Sequence, residues 1–470
     1  MRILLPTGSA TEEMVRQAAA GCDADVIVTG EIASFLTPHQ LKVILQKKKY
    51  DMVIVSGMST ASFEQVERET GVPVYRGPRH AADLSLILPL IEKNSLSKTV
   101  PADDFLASQK ANEAKAHVEA SEREAECDFI IRGVKIGGES RMKVLAEIMD
   151  AHRCDTICER VGQFFESGAD IVDLGFGFDA TPEDVTRVFS ELDGIDRPLA
   201  ADTQIPALIR AALIRADLIL SLQEENIPTV GREVAEAGAA AVIVPGASTL
   251  TKNITLAKRE GVRCIIADPL LQPAGSGLVS SLKNFQRGCH PLFFGAGNVA
   301  ELIDADSPGI NALLAGMAME VGTAVIFTSE HSDKTRGSVR EMRRATEMMA
   351  LARERPYPKD LGIDLLLLKE KRRRREPPLN YETITSAQSM PDEIEYDPNG
   401  NFRIGIEGDR IVAVIHGKAV QGTRWQDVLH TILSQGDVSL LDHAGYLGRE
   451  LYKAELAIRY GRSFEQDGEF

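Results

Sequence analysis

Short apolar runs that end in glycine alternate with amphipathic segments over residues 1–93. The runs are RILLPTG, DVIVTG, DMVIVSG and VPVYRG. Because strands that alternate with helices build a parallel sheet, this pattern predicts a small parallel α/β domain at the N-terminus. Residues 94–127 are polar and rich in Ala and Glu, which predicts a linker and an exposed helix.

The same alternation continues over residues 128–368, with helical patterns such as TPEDVTRVFSEL in the gaps. The strand-like runs are DFIIRGVKIGG, GADIVDLGFG, RPLAADT, DLILSLQ, AAVIVPG, RCIIADP, PLFFGAG and TAVIFTSE. Eight strands that alternate with helices over roughly 240 residues match the usual size of a (β/α)₈ TIM barrel. The carboxyl ends of such strands converge on one face, where the chemistry of the barrel takes place.

Two further segments complete the chain. The run KEKRRRREPPLN lies in residues 369–390, which we interpret as a solvated helix end and a basic, proline-containing linker rather than a nucleic-acid tail. Residues 391–470 contain two alternating strands around EGDR and a final amphipathic helix, which predicts a small α+β domain. The fold class is therefore α/β, a central TIM barrel with an N-terminal α/β domain and a C-terminal α+β domain.

Composition narrows the class of protein. The 470 residues are 44% hydrophobic and 26% charged, which is typical of a soluble globular protein of several domains. The formal charge of −16 argues against general nucleic-acid binding, and no apolar run is long enough to span a bilayer. The six cysteines show no metal-ligand spacing, so we expect reduced thiols, no metal and a cytoplasmic location. We also expect a homo-oligomer.

Polar residues stand where the predicted barrel strands end. They are Asp173, Asp202-Thr203, Gln223-Glu224, Asp268-Pro269, Asn298 and Glu330-His331. Asp and Asn are poor strand formers but good helix N-caps, so capping is the simpler interpretation of any one of them. For Asp202, Asp268 and Asn298 together in one barrel, we favour a ligand site.

This set of side chains indicates a flat, nitrogen-rich ligand. Carboxylates accept hydrogen bonds, and amides both donate and accept them. A buried carboxylate that faces two ring donors forms charge-assisted, bidentate hydrogen bonds. The pyrimidine edge of a pterin presents such donors.

The motifs GADIVDLGFG, AADT, IIADPLLQP, GAGNV and INALLAGMAMEVG resemble, in order and spacing, the pterin-binding barrels. That family includes dihydropteroate synthase and methyltetrahydrofolate-dependent methyltransferases. The resemblance implies that Asp202 and Asp268 contact the pterin ring, with Asp173 and Ser221 in the same pocket. It also implies that Asn298 lies near the ring nitrogen that carries a methyl group in the methyltransferases. The three-block layout is similar to the dihydropteroate synthase-like proteins of methanogens and some methylotrophs, which are associated with tetrahydromethanopterin.

The chain departs from the synthases at several motifs. Gly297-Asn298-Val299 replaces their Ser-Arg-Lys signature, and the final Arg-x-His is Ser329-Glu330-His331, which keeps only the histidine. Lys334 and Arg336 offer replacement positive charge, so we predict that His331, Lys334 and Arg336 bind phosphate.

Three functions are compatible with these residues. In the first, which we favour, the protein joins a pterin methylene to an arylamine in tetrahydromethanopterin biosynthesis, with Asp202, Asn298 and His331 as catalytic residues. In the second, it moves a methyl group from a methyl-tetrahydropterin to a corrinoid. This chain has no corrinoid motif, so a partner protein would supply that cofactor. In the third, the barrel binds a pterin without catalysis and acts as an assembly subunit.

Overall fold

The computed structural model describes residues 1–91, 96–286, 288–353, 357–359, 361–370, 381–389 and 395–469. The chain divides into two compact units, Met1–Pro378 and Leu379–Phe470. The first unit holds a small parallel sheet and a closed barrel, and the second holds an antiparallel sheet with two helices.

A four-stranded parallel sheet of order β2-β1-β3-β4 forms the N-terminal part of the chain. Its strands are β1 (Ile3–Gly8), β2 (Ala24–Gly30), β3 (Met52–Val55) and β4 (Val74–Arg76). Its helices are α1 (Glu12–Ala18), α2 (Pro38–Lys47), α3 (Glu64–Thr70) and α4 (Leu84–Ile87). Helix α2 begins with a capping box, in which the Thr37 hydroxyl accepts from the Gln40 amide and the Gln40 side chain accepts from the Thr37 amide. The parallel α/β pattern predicted for this region is therefore present.

A 23-residue helix, α5 (Ala102–Glu124), follows this sheet. Most of its surface is polar, but Ala114 and Val118 are buried, and Ala114 packs against a cluster that includes Met342 and Ala345 of the last barrel helix. The helix predicted here is present, and one narrow face of it rests on the barrel.

The centre of the chain is a closed eight-stranded barrel, so the TIM-barrel prediction is confirmed. Its parallel strands are β7 (Lys143–Ile148), β8 (Ile171–Gly175), β9 (Leu199–Asp202), β10 (Leu218–Leu222), β11 (Ala240–Ile243), β12 (Ile265–Ala267), β13 (Leu292–Phe294) and β14 (Thr323–Ser329). The helices around it are α6 (Ile157–Ser167), α7 (Pro182–Glu191), α8 (Pro206–Ala212), α9 (Ile227–Glu236), α10 (Leu250–Arg259), α11 (Leu278–Ser281), α12 (Ala296–Ala300), α13 (Ser307–Val321) and α14 (Ser338–Ala352).

The prediction of the first barrel strand was wrong. The run DFIIRGVKIGG is not a barrel strand but an antiparallel hairpin of β5 (Phe129–Ile131) and β6 (Val134–Ile136). Its two turn residues, Arg132 and Gly133, both have positive φ, 40° and 83°, as a tight hairpin turn requires. The barrel begins instead at Lys143, where β7 pairs with both β8 and β14 and closes the cylinder.

Alternation along the barrel strands separates two apolar layers. Leu145, Ile171 and Ala200 belong to the cluster that fills the barrel interior. Their neighbours Val172 and Leu174 belong to the cluster between the strands and the surrounding helices. Because successive side chains of a strand point to opposite faces, this parity decides which residue at each strand end faces the barrel axis.

A buried ion network joins the first two barrel strands to the last helix. Asp170, just before β8, accepts two hydrogen bonds from the Arg141 guanidinium, at 2.7 and 2.9 Å, and one from the Val144 amide at 2.8 Å. Arg343 of α14 pairs with the same carboxylate at 3.1 Å. Burial alone would raise the pKa of Asp170, but the charges of Arg141 and Arg343 hold it below its usual value.

The second unit is an antiparallel sheet of order β15-β16-β17 with two helices. Its elements are β15 (Arg403–Glu407), β16 (Arg410–Ile415), β17 (Lys418–Gly422), α15 (Trp425–Ser434) and α16 (Leu441–Tyr460). The predicted hairpin is β15 and β16, and the sequence interpretation missed β17, a short and mostly exposed strand. Much of the linker predicted at 369–390 lies outside the described residues, which omit 371–380 and 390.

Over the described ranges, every helix is too short or too polar to cross a bilayer.

We predict that Asp170→Asn lowers the free energy of unfolding by about 3–5 kcal/mol, because it leaves the buried Arg141 guanidinium without its counter-charge. Urea unfolding at neutral pH measures the change. The matched control is Asp196→Asn, which removes an exposed partner of Arg132 and should change stability by less than about 0.5 kcal/mol. Equal effects of the two substitutions would contradict the role given to the network.

Candidate functional site at the carboxyl end of the barrel

Three carboxylates from adjacent strands meet inside the carboxyl end of the barrel. Glu147 of β7 lies directly beside Asp173 of β8, and Asp202 ends β9. One oxygen from each of the three lies within 4.8 Å of the others. All three share the inward parity of Leu145, Ile171 and Ala200, so they stand directly above the apolar interior of the barrel.

A glycine makes room for this cluster. Gly175 ends β8, and a Cβ added there would lie 3.0 Å from Oε1 of Glu147. It would also lie 3.5 Å from the Ile148 carbonyl oxygen. A larger residue at 175 would therefore crowd the Glu147 carboxylate, which would have to shift by a few tenths of an ångström.

Burial and mutual repulsion make these carboxyl groups weak acids. Burial raises the pKa of Glu147 to about 7, with a further contribution from the charge of Asp202. Burial also raises the pKa of Asp173 well above its usual value, and the charges of Asp202 and Glu147 add to this. At a separation of about 5 Å and an effective dielectric constant of about 20, each pair of like charges costs roughly 3 kcal/mol. The cluster therefore favours protons or a cationic, hydrogen-donating partner.

Asp202 and Asp268 connect the cluster to the next part of the rim. Burial raises the pKa of Asp202, although a hydrogen bond from Ser221 opposes the rise. Ser221 adopts an unusual left-handed conformation, with φ 63°. Burial raises the pKa of Asp268 to about 7, the hydrogen bond from the Leu270 amide (2.8 Å) opposes this, and the charge of Asp202 adds to it. The structure thus brings Asp173, Asp202, Ser221 and Asp268 to one end of the barrel.

A cleft of about 260 Å³ opens beside the cluster. Its lining includes Glu147, Asp150, Phe178 and Asp202. This volume lies near the lower end of the range of small-molecule pockets, which suits a compact heterocycle. Phe178 is 91% exposed, so its ring is available to a ligand at the lip of the cleft.

Asn298 lies at the same end of the barrel but outside the cluster. It is an exposed residue of α12, the short helix that follows β13 directly. The side-chain nitrogen of Asn298 lies close to Gly295, since a Cβ added at Gly295 would be 3.3 Å from it. In the described parts of the chain, no hydrogen bond joins Asn298 to the carboxylates, so its role at a ligand stays a prediction.

The loop after β14, which holds the predicted phosphate-binding residues, binds a carboxylate through its own hydroxyls and through a backbone amide. Glu301 accepts hydrogen bonds from the backbone amide of His331 (2.9 Å) and from the hydroxyls of Ser329, Ser332 and Thr335 (3.1, 2.5 and 2.6 Å). Burial alone would raise the pKa of Glu301, but the hydrogen bonds from Ser332 and Thr335 hold it below its usual value. The loop after β14 is therefore built around an internal anion.

The basic side chains of this loop are only partly available. Lys334 pairs with Asp304 at 2.8 Å, and Arg336 and His331 are exposed. Their assignment to phosphate stays a prediction, and the internal carboxylate of Glu301 would compete with any phosphate bound there.

The sequence interpretation missed Glu147. Because the hairpin DFIIRGVKIGG was taken as the first strand, the run KVLAEI and the acid near its end were never placed on the barrel rim. The signal was present, since Val144-Leu145-Ala146 is a buried apolar run that ends in Glu147-Ile148.

Comparison with known proteins gives one relative along the whole chain. "Uncharacterized protein MJ0107" of Methanocaldococcus jannaschii is 33% identical over 516 aligned residues, which cover 99% of this chain and 98% of that protein. A family model described as PterinBD-DUF4346 matches residues 396–467. This description agrees with the pterin-binding resemblance drawn from the barrel motifs.

Solved structures similar to the barrel include dihydropteroate synthases. The enzyme of Yersinia pestis is 18% identical, with a TM-score of 0.37 over 48% of this chain and 98% of that one. The enzyme of Thermus thermophilus is 19% identical, with a TM-score of 0.37 over 47% of this chain and 96% of that one. At these TM-scores the likeness carries no argument about a ligand, and the barrel assignment rests on the strand order above.

We predict that Glu147→Gln stabilises the ligand-free protein at pH 8 by about 2–3 kcal/mol and has little effect at pH 5. The folded-state pKa of Glu147 is raised from 4.5 to about 7. The stability contributed by its protonated form is therefore complete below about pH 4.5 and is lost as the pH rises through about 7.

Urea unfolding from pH 5 to pH 8 in a chelating buffer tests this. The control is Glu166→Gln, which changes an exposed residue of α6 and should leave the pH dependence as it is in the parent protein. A Glu147→Gln protein with the parent's pH dependence would show that Glu147 is not held protonated.

Proposed function

This chain belongs to the family of the uncharacterized protein MJ0107, and we propose that its barrel binds a reduced pterin and transfers a group on that ring. The observation that carries the proposal is the set of buried, unpaired carboxyl groups at the carboxyl end of the barrel. The pyrimidine edge of a pterin supplies adjacent N–H donors to Asp202 and Asp268. These residues accept hydrogen bonds from Ser221 and from the Leu270 amide, and they form no ion pair within the described residues.

Each residue has a place in this binding mode. Asp268 accepts from the edge of the ring, since its second oxygen is not used by the Leu270 amide. Asp202 faces the same ligand, and the hydroxyl of Ser221 orients its carboxylate. Phe178, at the lip of the cleft, provides an aromatic surface for the flat face of the ring.

The reaction that we place first joins the pterin methylene to an arylamine, in the biosynthesis of tetrahydromethanopterin. As the leaving group departs, positive charge develops on the methylene carbon, and the negative field of Asp202 and Asp268 stabilises that charge. The relative from Methanocaldococcus jannaschii aligns with 99% of this chain, which includes all three blocks of the layout that suggested this pathway.

A second reaction, methyl transfer from a methyl-tetrahydropterin, is favoured by one specific observation. The amide of His331 and the hydroxyl of Thr335 already donate to Glu301, and Lys334 is paired with Asp304. Of the predicted phosphate-binding side chains, this leaves the exposed ones of His331 and Arg336. Methyl transfer needs no phosphate site. It needs a proton or hydrogen bond at the ring nitrogen, for which Asn298 and a protonated carboxyl group are suitable donors. A corrinoid protein would accept the methyl group.

We predict that Asp268→Asn weakens the binding of a reduced pterin at least 10-fold, because the amide replaces one acceptor with a donor and removes the charge. Fluorescence or calorimetric titration with a dihydropterin measures the affinity. Asp304→Asn is the control, since Asp304 is an exposed carboxylate paired with Lys334. Unchanged affinity in the Asp268→Asn protein, with the parent protein binding, would remove Asp268 from the site.

Activity assays with two sets of substrates distinguish the joining reaction from methyl transfer. Product formed from a pterin diphosphate and an arylamine supports the joining reaction, and demethylation of a methyl-tetrahydropterin in the presence of a corrinoid protein supports methyl transfer. Pterin binding without turnover of either set would support the non-catalytic hypothesis and overturn the proposal of group transfer.

A further inference from the structure

The deepest acid at the carboxyl end of the barrel has no partner. Asp173 is 0% exposed, and both of its carboxylate oxygens are buried without a hydrogen-bond partner. Within the described residues, no ion pair involves Asp173, Glu147 or Asp202. An unpaired buried carboxylate is costly, so the folded protein gains from any ligand that supplies positive charge at this point.

The pterin proposed above does not meet this need. The edge of a flat ring can bind Asp202 and Asp268 at the rim, but Asp173 lies below them, on the strand between Glu147 and Asp202. The ligand of Asp173 must be small enough to fit among three carboxylates, one oxygen of each being within 4.8 Å of the others.

We propose that Glu147, Asp173 and Asp202 bind one divalent metal ion. Hard cations such as Ca²⁺, Mn²⁺ and Mg²⁺ prefer carboxylate oxygens. Two oxygens that bind one Ca²⁺ ion at about 2.4 Å each lie at most about 4.8 Å apart. One oxygen from each carboxylate of the cluster falls within that limit.

This proposal departs from the expectation of no metal, which rested on the spacing of the six cysteines and did not consider Glu147. Each carboxylate has a second oxygen, so Asp202 can hold the ion and also face the cleft. The Glu147 side chain lines the cleft beside the cluster, which provides a route for the ion from solvent. This inference does not depend on the identity of the organic ligand.

A second group of possible ligands lies nearby and serves as a control. Asp150, His152 and Asp179 also place ligand atoms within 4.8 Å of one another. Asp179, however, is exposed and already pairs with Arg153. The positive charge of Arg153 makes this group the weaker candidate.

Titration of the full chain with MnCl₂, after treatment with EDTA and dialysis, tests the proposal. Calorimetry, or the loss of the free Mn²⁺ signal in electron paramagnetic resonance, gives the stoichiometry and affinity. We expect one saturable site per chain in the parent protein, binding at least 10-fold weaker in Glu147→Gln, and no binding at this site in Asp173→Asn. The Asp179→Asn control should bind like the parent.

Thermal unfolding shows whether a variant fails to bind Mn²⁺ because it is not folded. Because Asp173→Asn removes an unpaired buried charge, the metal-free variant should melt no lower than the metal-free parent, and added Mn²⁺ should raise the melting temperature of the parent only. If Asp173→Asn does not fold, the Mn²⁺ affinity of Glu147→Gln is compared with that of the parent instead.

The proposal is overturned if the parent shows no saturable Mn²⁺ binding up to millimolar concentration, or if Glu147→Gln binds like the parent while Asp179→Asn does not. Dihydropterin titration in EDTA is a separate measurement. A parent protein that binds dihydropterin but not Mn²⁺ would overturn only this inference. A parent protein that binds Mn²⁺ but not dihydropterin would overturn only the proposed function.

Discussion

The feature on which the rest depends is the repulsion among carboxylates that a closed barrel forces together. In a parallel barrel, the inward residue at the end of each strand shares one small volume with its neighbours. In this chain, Glu147, Asp173 and Asp202 occupy three consecutive inward positions above a floor of aliphatic and aromatic side chains. Asp173 is fully buried and Glu147 and Asp202 are partly buried, so their charge must be met by protons or by what the site binds.

The sequence was sufficient for the architecture because each barrel strand has a short apolar run bounded by glycine or a polar residue. It failed at the first strand for a local reason. DFIIRGVKIGG is as apolar as a barrel strand, but Arg132 and Gly133 fold it back on itself. The true strand begins at Lys143. This lysine is buried, and its Nζ lies 3.0 Å from a carboxylate oxygen of Glu122 in α5. A lysine at the start of a strand looks exposed until the partner, 21 positions earlier, is known.

The site was predictable in part for the same reason. Asp173, Asp202 and Asp268 were identified because acids at the ends of apolar runs are unusual, and the structure places all three at one end of the barrel. The state of the β14–α14 loop was not predictable. Glu301 reaches the amide of His331 across 30 positions, and Lys334 reaches Asp304 across the same distance in sequence. Such pairings depend on how two loops fold together, which no local pattern records.

The internal hydrogen bonds of Glu301 make its carboxylate an intramolecular competitor of any free anion that binds the amide of His331. A side chain held in place by the backbone acts at an effective concentration in the millimolar range or above, without loss of translational freedom. A free anion that approached the amide of His331 would have to displace that carboxylate before it gained any hydrogen bond. The loop therefore holds its own anion, and the carboxylate of Glu301 opposes the binding of a second anion at the amide of His331.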